Sequence, residues 1–133
     1  MNRFNLRKND IPDPSKITKI QEAEITDARL LKEFIPVNIQ DISCQELLTF
    51  SIYFPFIQPN ESPKFLKIAS AGSLFSSKWK TLFKENNIEH VYVHVNEFDL
   101  YAHYINTNLS KALANPYLSM DKKMRYFIET LLT

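Results

Sequence analysis

One glycine, Gly72, serves the whole 133-residue chain. Glycine takes left-handed backbone angles cheaply and lets a backbone approach a ligand closely. Its scarcity excludes Gly-rich phosphate loops and dinucleotide fingerprints, whose glycines bring the backbone against a pyrophosphate. Gly72 falls between a strand-like run, 64–69, and a helix-like run starting at Ser77. The stretch 71–113 then reads as turn, helix, buried strand, helix, and the rest of the chain is organised around it.

Within that stretch the local signals agree. Ser76 is placed to cap a helix over 77–86, with Trp79, Leu82 and Phe83 as its apolar stripe. Asn86-Asn87 closes it, since Asn is the next-best residue after Gly at a left-handed cap. Val91, Val93 and Val95 alternate with His90, Tyr92 and His94, which predicts a strand with one aliphatic and one aromatic-polar face. Asn96, with Asp99 three residues on, reads as the cap of a helix over 97–114. Its stripe is Phe98, Tyr101, Ala102, Ile105, Leu109, Ala112 and Leu113, with Leu100 and Tyr104 widening the buried face. Asn115-Pro116 stops this helix.

The chain before Gly72 is less regular. Residues 1–33 read as a polar, solvated N-terminal arm, with Asp13-Pro14 starting a short helical turn and Ile17 and Ile20 on one face. Residues 34–37 (FIPV) form a β-prone run that Pro36 assigns to a sheet edge or a strand start. Residues 50–54 and 64–69 read as an antiparallel pair around the Pro-rich loop 55–63. The fold class expected is α+β: a small, mainly antiparallel sheet packed by two helices, 77–86 and 97–114. A helix over 119–133 completes it, its stripe formed by Met120, Met124, Phe127, Ile128 and Leu131. That helix carries no stop signal. The expected organisation is an arm (1–33), an α+β domain (34–115) and a connector helix (116–133) leading to a further domain.

Composition bounds the chemistry. With 44% apolar and 13% aromatic residues, an ordered body is expected. Sixteen Lys and Arg against fifteen acids, interspersed, lack the basic excess of a nucleic-acid binder. No apolar signal core and no run of about 20 apolar residues is present, so the expectation is a cytoplasmic chain with no membrane contact. A lone Cys44 builds neither a disulfide nor a cysteine-based zinc site, and nothing around it in sequence activates the thiol. His90 and His94, four apart on a strand, lie about 13 Å apart, too far for one metal ion. With His103 they match no metal motif.

These residues name no catalytic set, no metal site and no cofactor. Two surfaces deserve testing. Tyr53, Tyr92, His94, Tyr101 and Tyr104 could line an aromatic ligand pocket, against the commoner state of tyrosines in a core with hydroxyls at its rim. The terminal stripe Met120, Met124, Phe127, Ile128 and Leu131 could be a partner surface, including one for a homodimer. Trp79, Val91, Val93, Tyr101 and Ile105 are the expected core.

The run at 34–37, the strand pair around 50–53 and 65–69, Ala71-Gly72, Asn87-Ile88, the VYV at 91–93, Tyr101 and Tyr104 together carry a family resemblance. The chain resembles the non-catalytic region that precedes the HD domain in some bacterial metal-dependent phosphohydrolases, including relatives of the HD-GYP cyclic di-GMP phosphodiesterases. The likeness spans 34–113, about three-fifths of the chain, and rests on order and spacing. Asn87 stands where family members commonly have Gly, and the loop 55–63 is a departure. HD enzymes hold metal through a His…His-Asp…Asp arrangement, and this chain contains no His-Asp pair. The resemblance therefore implies a non-enzymatic module that positions, dimerises or controls an HD-type catalytic domain of the same polypeptide. A small-molecule sensor, by way of the aromatic pocket, is the alternative, and a free-standing enzyme comes last.

Overall fold

The computed structural model describes residues 11–57 and 60–114. Its α+β body is one four-stranded antiparallel sheet with helices α1 (Ala28–Glu33), α2 (Ser77–Glu85) and α3 (Phe98–Ala114). The strands are β1 (Phe34–Asn38), β2 (Ile52–Phe56), β3 (Lys64–Ala69) and β4 (His90–His94), in the spatial order β1-β4-β2-β3. β1 is an edge strand, as Pro36 requires. β4, the valine strand, enters between β1 and the β2–β3 hairpin, which explains its buried Val91 and Val93.

The register assigns faces. Val37 lies opposite Val91 and Ile35 opposite Val93, while Pro36 and Phe34 lie opposite Tyr92 and His94 on the other face. In the hairpin, Leu66 lies opposite Phe54 and Lys67 opposite Tyr53. A bulge interrupts this alternation: Ile52 faces Ala69, Tyr53 faces Lys67, and Ile68 is the extra residue. An extra residue in one strand resets the pleat. Ile68 and Ala69 are consequently both buried.

The inner face receives both long helices in a single core. α2 contributes Trp79, Leu82 and Phe83, with Phe83 5.0 Å from Phe54 and 5.5 Å from Trp79 between ring centroids. α3 contributes Tyr101, Tyr104 and Ile105. The tyrosine rings meet Phe50 edge-on at 5.3 and 5.2 Å, the arrangement that sets a positive ring edge against a negative face. The five expected core residues all belong to this cluster.

Turn chemistry follows the residues available. Gly72 has φ +86° and its N–H donates to the Leu48 carbonyl at 2.7 Å. Ser76 caps α2, its side chain accepting from the Lys78 N–H at 3.2 Å. Asn87 takes φ +59°, and the paired bonds Ile88 N–H to Phe83 O (2.8 Å) and Asn87 N–H to Lys84 O (3.2 Å) complete a Schellman motif. A residue in this conformation costs about 1 kcal/mol or more unless it is Gly, which has no Cβ, or Asn, whose short polar side chain bonds locally. Asn87→Ala is therefore expected to destabilise by about 1 kcal/mol, and Asn87→Gly not at all. Urea unfolding midpoints of the two variants check this.

Four details differ from expectation. The segment that reads as a solvated arm contributes Ile17, Ile20 and Ala23 to the buried residues, because its few apolar side chains find an uncovered side of the core. β2 runs two residues past its expected end and includes Pro55. Proline is tolerated there because the Pro55 carbonyl accepts from Ala23, so this position bonds away from β3 and its missing N–H costs the hairpin ladder nothing. Asn96 does not cap α3: it lies inside a 3-10 turn, Val95–Glu97, and the preceding His94 Nδ1 accepts the Asn96 N–H at 3.1 Å. Leu100 is 46% exposed and does not widen the buried face.

Candidate functional site

Period-two alternation along β4 that buries Val91 and Val93 turns Tyr92 and His94 to the outer face of the sheet. Cross-strand neighbours add Phe34 from β1, Tyr53 from β2 and Phe65 from β3. All five side chains are half-buried. Phe34 stacks on Phe65 with 4.1 Å between centroids and meets Tyr53 and His94 edge-on at 5.0 and 5.2 Å. Phe65 meets Tyr92 at 4.8 Å.

Phe34 and Phe65 come from the two outermost strands. In a flat sheet those strands would lie about 14 Å apart, at about 4.8 Å per neighbour. Their rings meet because the sheet curls toward this face. β2 and β4 pair only at Tyr53 and Tyr92, which leaves the centre of the sheet free to bend.

Polar groups surround the rings. Lys67 sits directly across from Tyr53. The Tyr92 hydroxyl donates to Glu22 Oε1 at 2.7 Å, and Glu97 Oε1 accepts the Ser51 N–H at 3.3 Å. Burial, then the Glu22 hydrogen bond and the Glu22 charge, push Tyr92 from 10.0 up to about 12. Tyr53 is raised as well, by burial first and the Glu97 charge second.

A measurable consequence follows for alkaline stability. Above pH 10 an unfolded tyrosine loses its proton, whereas folded Tyr92 keeps it until about 12. The folded state binds more protons across that window, so stability present below pH 10 falls as the pH rises toward 12. With solvent screening discounted for a half-exposed ring, the expected loss is about 1 kcal/mol. Urea unfolding at pH 9 and pH 11 should show it in the wild type, and Tyr92→Phe should remove that part of the slope.

The structure divides the five expected pocket residues between two places. Tyr53, Tyr92 and His94 share the outer face. Tyr101 and Tyr104 lie across the sheet in the core, where the Tyr104 hydroxyl accepts the Ser43 N–H at 2.7 Å. Sequence alternation finds the β4 members, but Phe34, Phe65 and Glu22 were missed. The signal for the two phenylalanines was present: each alternates with residues of the inner face once the hairpin and the edge position of β1 are accepted. Glu22 had no local signal, because it reaches Tyr92 across 70 residues of chain.

The stripe Met120, Met124, Phe127, Ile128 and Leu131, and with it the homodimer expectation, lies outside the described residues. Among the described residues no group of three or more His, Cys, Asp and Glu side chains is placed to hold a metal ion. Cys44 is half-buried with a free thiol, packed against the core. No helix among the described residues is long and apolar enough to cross a membrane.

Chemically, the outer face offers ring faces and edges, two phenol hydroxyls and one lysine. Such a surface receives apolar and planar groups and orients them with a few polar contacts. No family model matches the chain, and no curated protein or solved structure matches it either.

Proposed function

We propose that the chain is a non-catalytic regulatory module that docks, through the outer face of its sheet, onto an HD-type metal-dependent phosphohydrolase domain of the same polypeptide. The observation that carries the reading is the aromatic group of Phe34, Tyr53, Phe65, Tyr92 and His94, half-buried on a sheet face opposite the main core. Aromatic rings supply large contact area at small cost in side-chain freedom, and they dominate the centres of protein interfaces. Phe34 and Phe65 already stack on each other at 4.1 Å, leaving no slot between them for a small ring. That filling favours a broad macromolecular contact over a sensing pocket. The sequence resemblance supplies the identity of the partner.

The sensor reading keeps one supporting observation: Tyr53 and Tyr92 stand directly opposite each other beside His94. A planar ligand such as a cyclic dinucleotide would then lie on those rings. The experiment is a phosphodiesterase assay of the whole reading frame that encodes this chain, with and without Phe34→Ser and Phe65→Ser. Changed turnover with an unchanged metal requirement supports the regulatory reading. A reading frame that encodes no HD-type domain, or turnover indifferent to both substitutions, overturns it. Calorimetric binding of cyclic di-GMP to the isolated chain would favour the sensor instead.

A further inference from the structure

Glu22 and Glu97 border the outer aromatic face, and each already accepts a hydrogen bond from this chain: Glu22 from the Tyr92 hydroxyl at 2.7 Å, Glu97 from the Ser51 N–H at 3.3 Å. Three donors on the same face are unmet. Among the described residues, the Tyr53 hydroxyl, the distal nitrogen of His94 and the Lys67 ammonium reach no acceptor. His94 Nδ1 accepts the Asn96 N–H at 3.1 Å, so the neutral ring carries its proton on Nε2 and presents an N–H there. Tyr53 lies directly across from Lys67 on one side and from Tyr92 on the other, and His94 follows Tyr92 by two residues on the same face. At about 4.8 Å between strands and 3.4 Å per residue, the backbones of the three donors fall within about 12 Å of one another. Phe34 sits among them, its ring centroid 5.0 Å from Tyr53 and 5.2 Å from His94.

We infer, resting on the reading of the outer face as a docking surface, that it selects a protein segment with a carboxylate side chain beside an apolar anchor. The anchor lies on Phe34 and Phe65, and the carboxylate meets Lys67 and the Tyr53 hydroxyl, with the His94 Nε2–H at its rim. A carboxylate has two oxygens and about four lone-pair sites, enough to accept from all three donors. Hydrogen bonds between charged partners are the stronger kind. Charge complementarity sets the size of the anion. One ammonium, flanked by Glu22 and by the Glu97 charge that acts on Tyr53, balances a single carboxylate and not the larger charge of a phosphate. The Phe34–Phe65 stack at 4.1 Å leaves no slot for a nucleobase between the rings. In this arrangement the aromatic centre supplies affinity, while the donors at its side decide which segment is accepted.

Selection of a displayed library of random short peptides on the immobilised full chain tests this. Clones whose binding is lost with either Phe34→Ser or Phe65→Ser are the outer-face binders. They are expected to be enriched in Asp and Glu next to an aromatic or branched apolar residue. Lys67 is exposed, so Lys67→Glu leaves the fold intact. That variant should bind the same peptides about tenfold more weakly and, used as the bait, should turn the enrichment toward Lys and Arg. Tyr53→Phe keeps the ring and removes only the hydroxyl, and should weaken binding by about threefold to tenfold, the scale of one hydrogen bond. Outer-face binders with no enrichment in acids, or the same binders selected by wild type and Lys67→Glu, overturn the carboxylate and leave the docking surface standing. A library that yields no clone sensitive to Phe34→Ser or Phe65→Ser overturns the docking surface itself, and the carboxylate with it.

Discussion

Phe83→Ala is expected to lower the stability of the fold by about 3–5 kcal/mol, the cost of emptying a fully packed aromatic site. Phe83 is completely buried, and its ring joins α2 to the sheet through Phe54 while also touching Trp79. Removing it opens a cavity at the junction of helix and sheet, and the rigid neighbours on both sides limit collapse. Against a total stability of about 5–15 kcal/mol for a domain of ordinary size, such a loss leaves little margin. Phe83→Leu refills most of the volume and should cost about 1 kcal/mol. Urea unfolding followed by Trp79 fluorescence reads both variants. A cost under 1 kcal/mol for the alanine variant would mean that α2 does not pack on β2 as described.

The second large effect belongs to the outer face. If the outer face docks an HD-type domain as proposed, Phe34→Ala combined with Phe65→Ala is expected to weaken that docking by about thirtyfold or more, corresponding to a hot-spot loss of about 2 kcal/mol. The two rings stack on each other and also contact Tyr53, Tyr92 and His94, so their removal leaves the remaining rings without lateral support. Both phenylalanines are only half-buried, and the fold should survive their loss with a smaller penalty than at Phe83. Leu100→Ala, on an exposed site of α3, serves as the control and should leave docking unchanged. Equal binding by the double variant and the wild type would remove the outer face from consideration.

Much of the architecture was legible because local signals agreed with the final packing. The stripe Trp79, Leu82 and Phe83, the Ser76 cap, the left-handed Asn87 and two of the three alternating valines, Val91 and Val93, each hold the position that their chemistry implies, while Val95 lies exposed in the turn after β4. Pro36 pointed to a sheet edge or a strand start, and its strand is an edge. What escaped reading depends on long-range contacts. Pro55 reads as a strand terminator until Ala23, 32 positions earlier, supplies a donor to its carbonyl. Ile17 and Ile20 read as a faint helical face in a polar arm, and only the tertiary fold supplies the core surface that buries them. At Asn96 a good cap residue lost to a histidine two positions earlier, whose ring nitrogen accepts the same N–H that starts the turn.

The site was half legible for a similar reason. Tyr92 and His94 share a strand face by simple alternation, and Tyr53 joins them through the pairing of β2 with β4. Tyr101 and Tyr104 looked like companions because they are also tyrosines, but a helical stripe that faces the core cannot reach the far side of the sheet. Phe34 and Phe65 replace them through a curl of the sheet, which belongs to no single segment of sequence.

An NMR titration tests docking through the outer face most directly. The isotopically labelled chain would be titrated with the unlabelled HD-type domain proposed as its partner. Docking through this face is expected to shift or broaden the signals of Phe34, Tyr53, Phe65, Tyr92 and His94, with the exposed positions of α2 unmoved. Perturbations confined to α2 and α3, with that aromatic face silent, would contradict it.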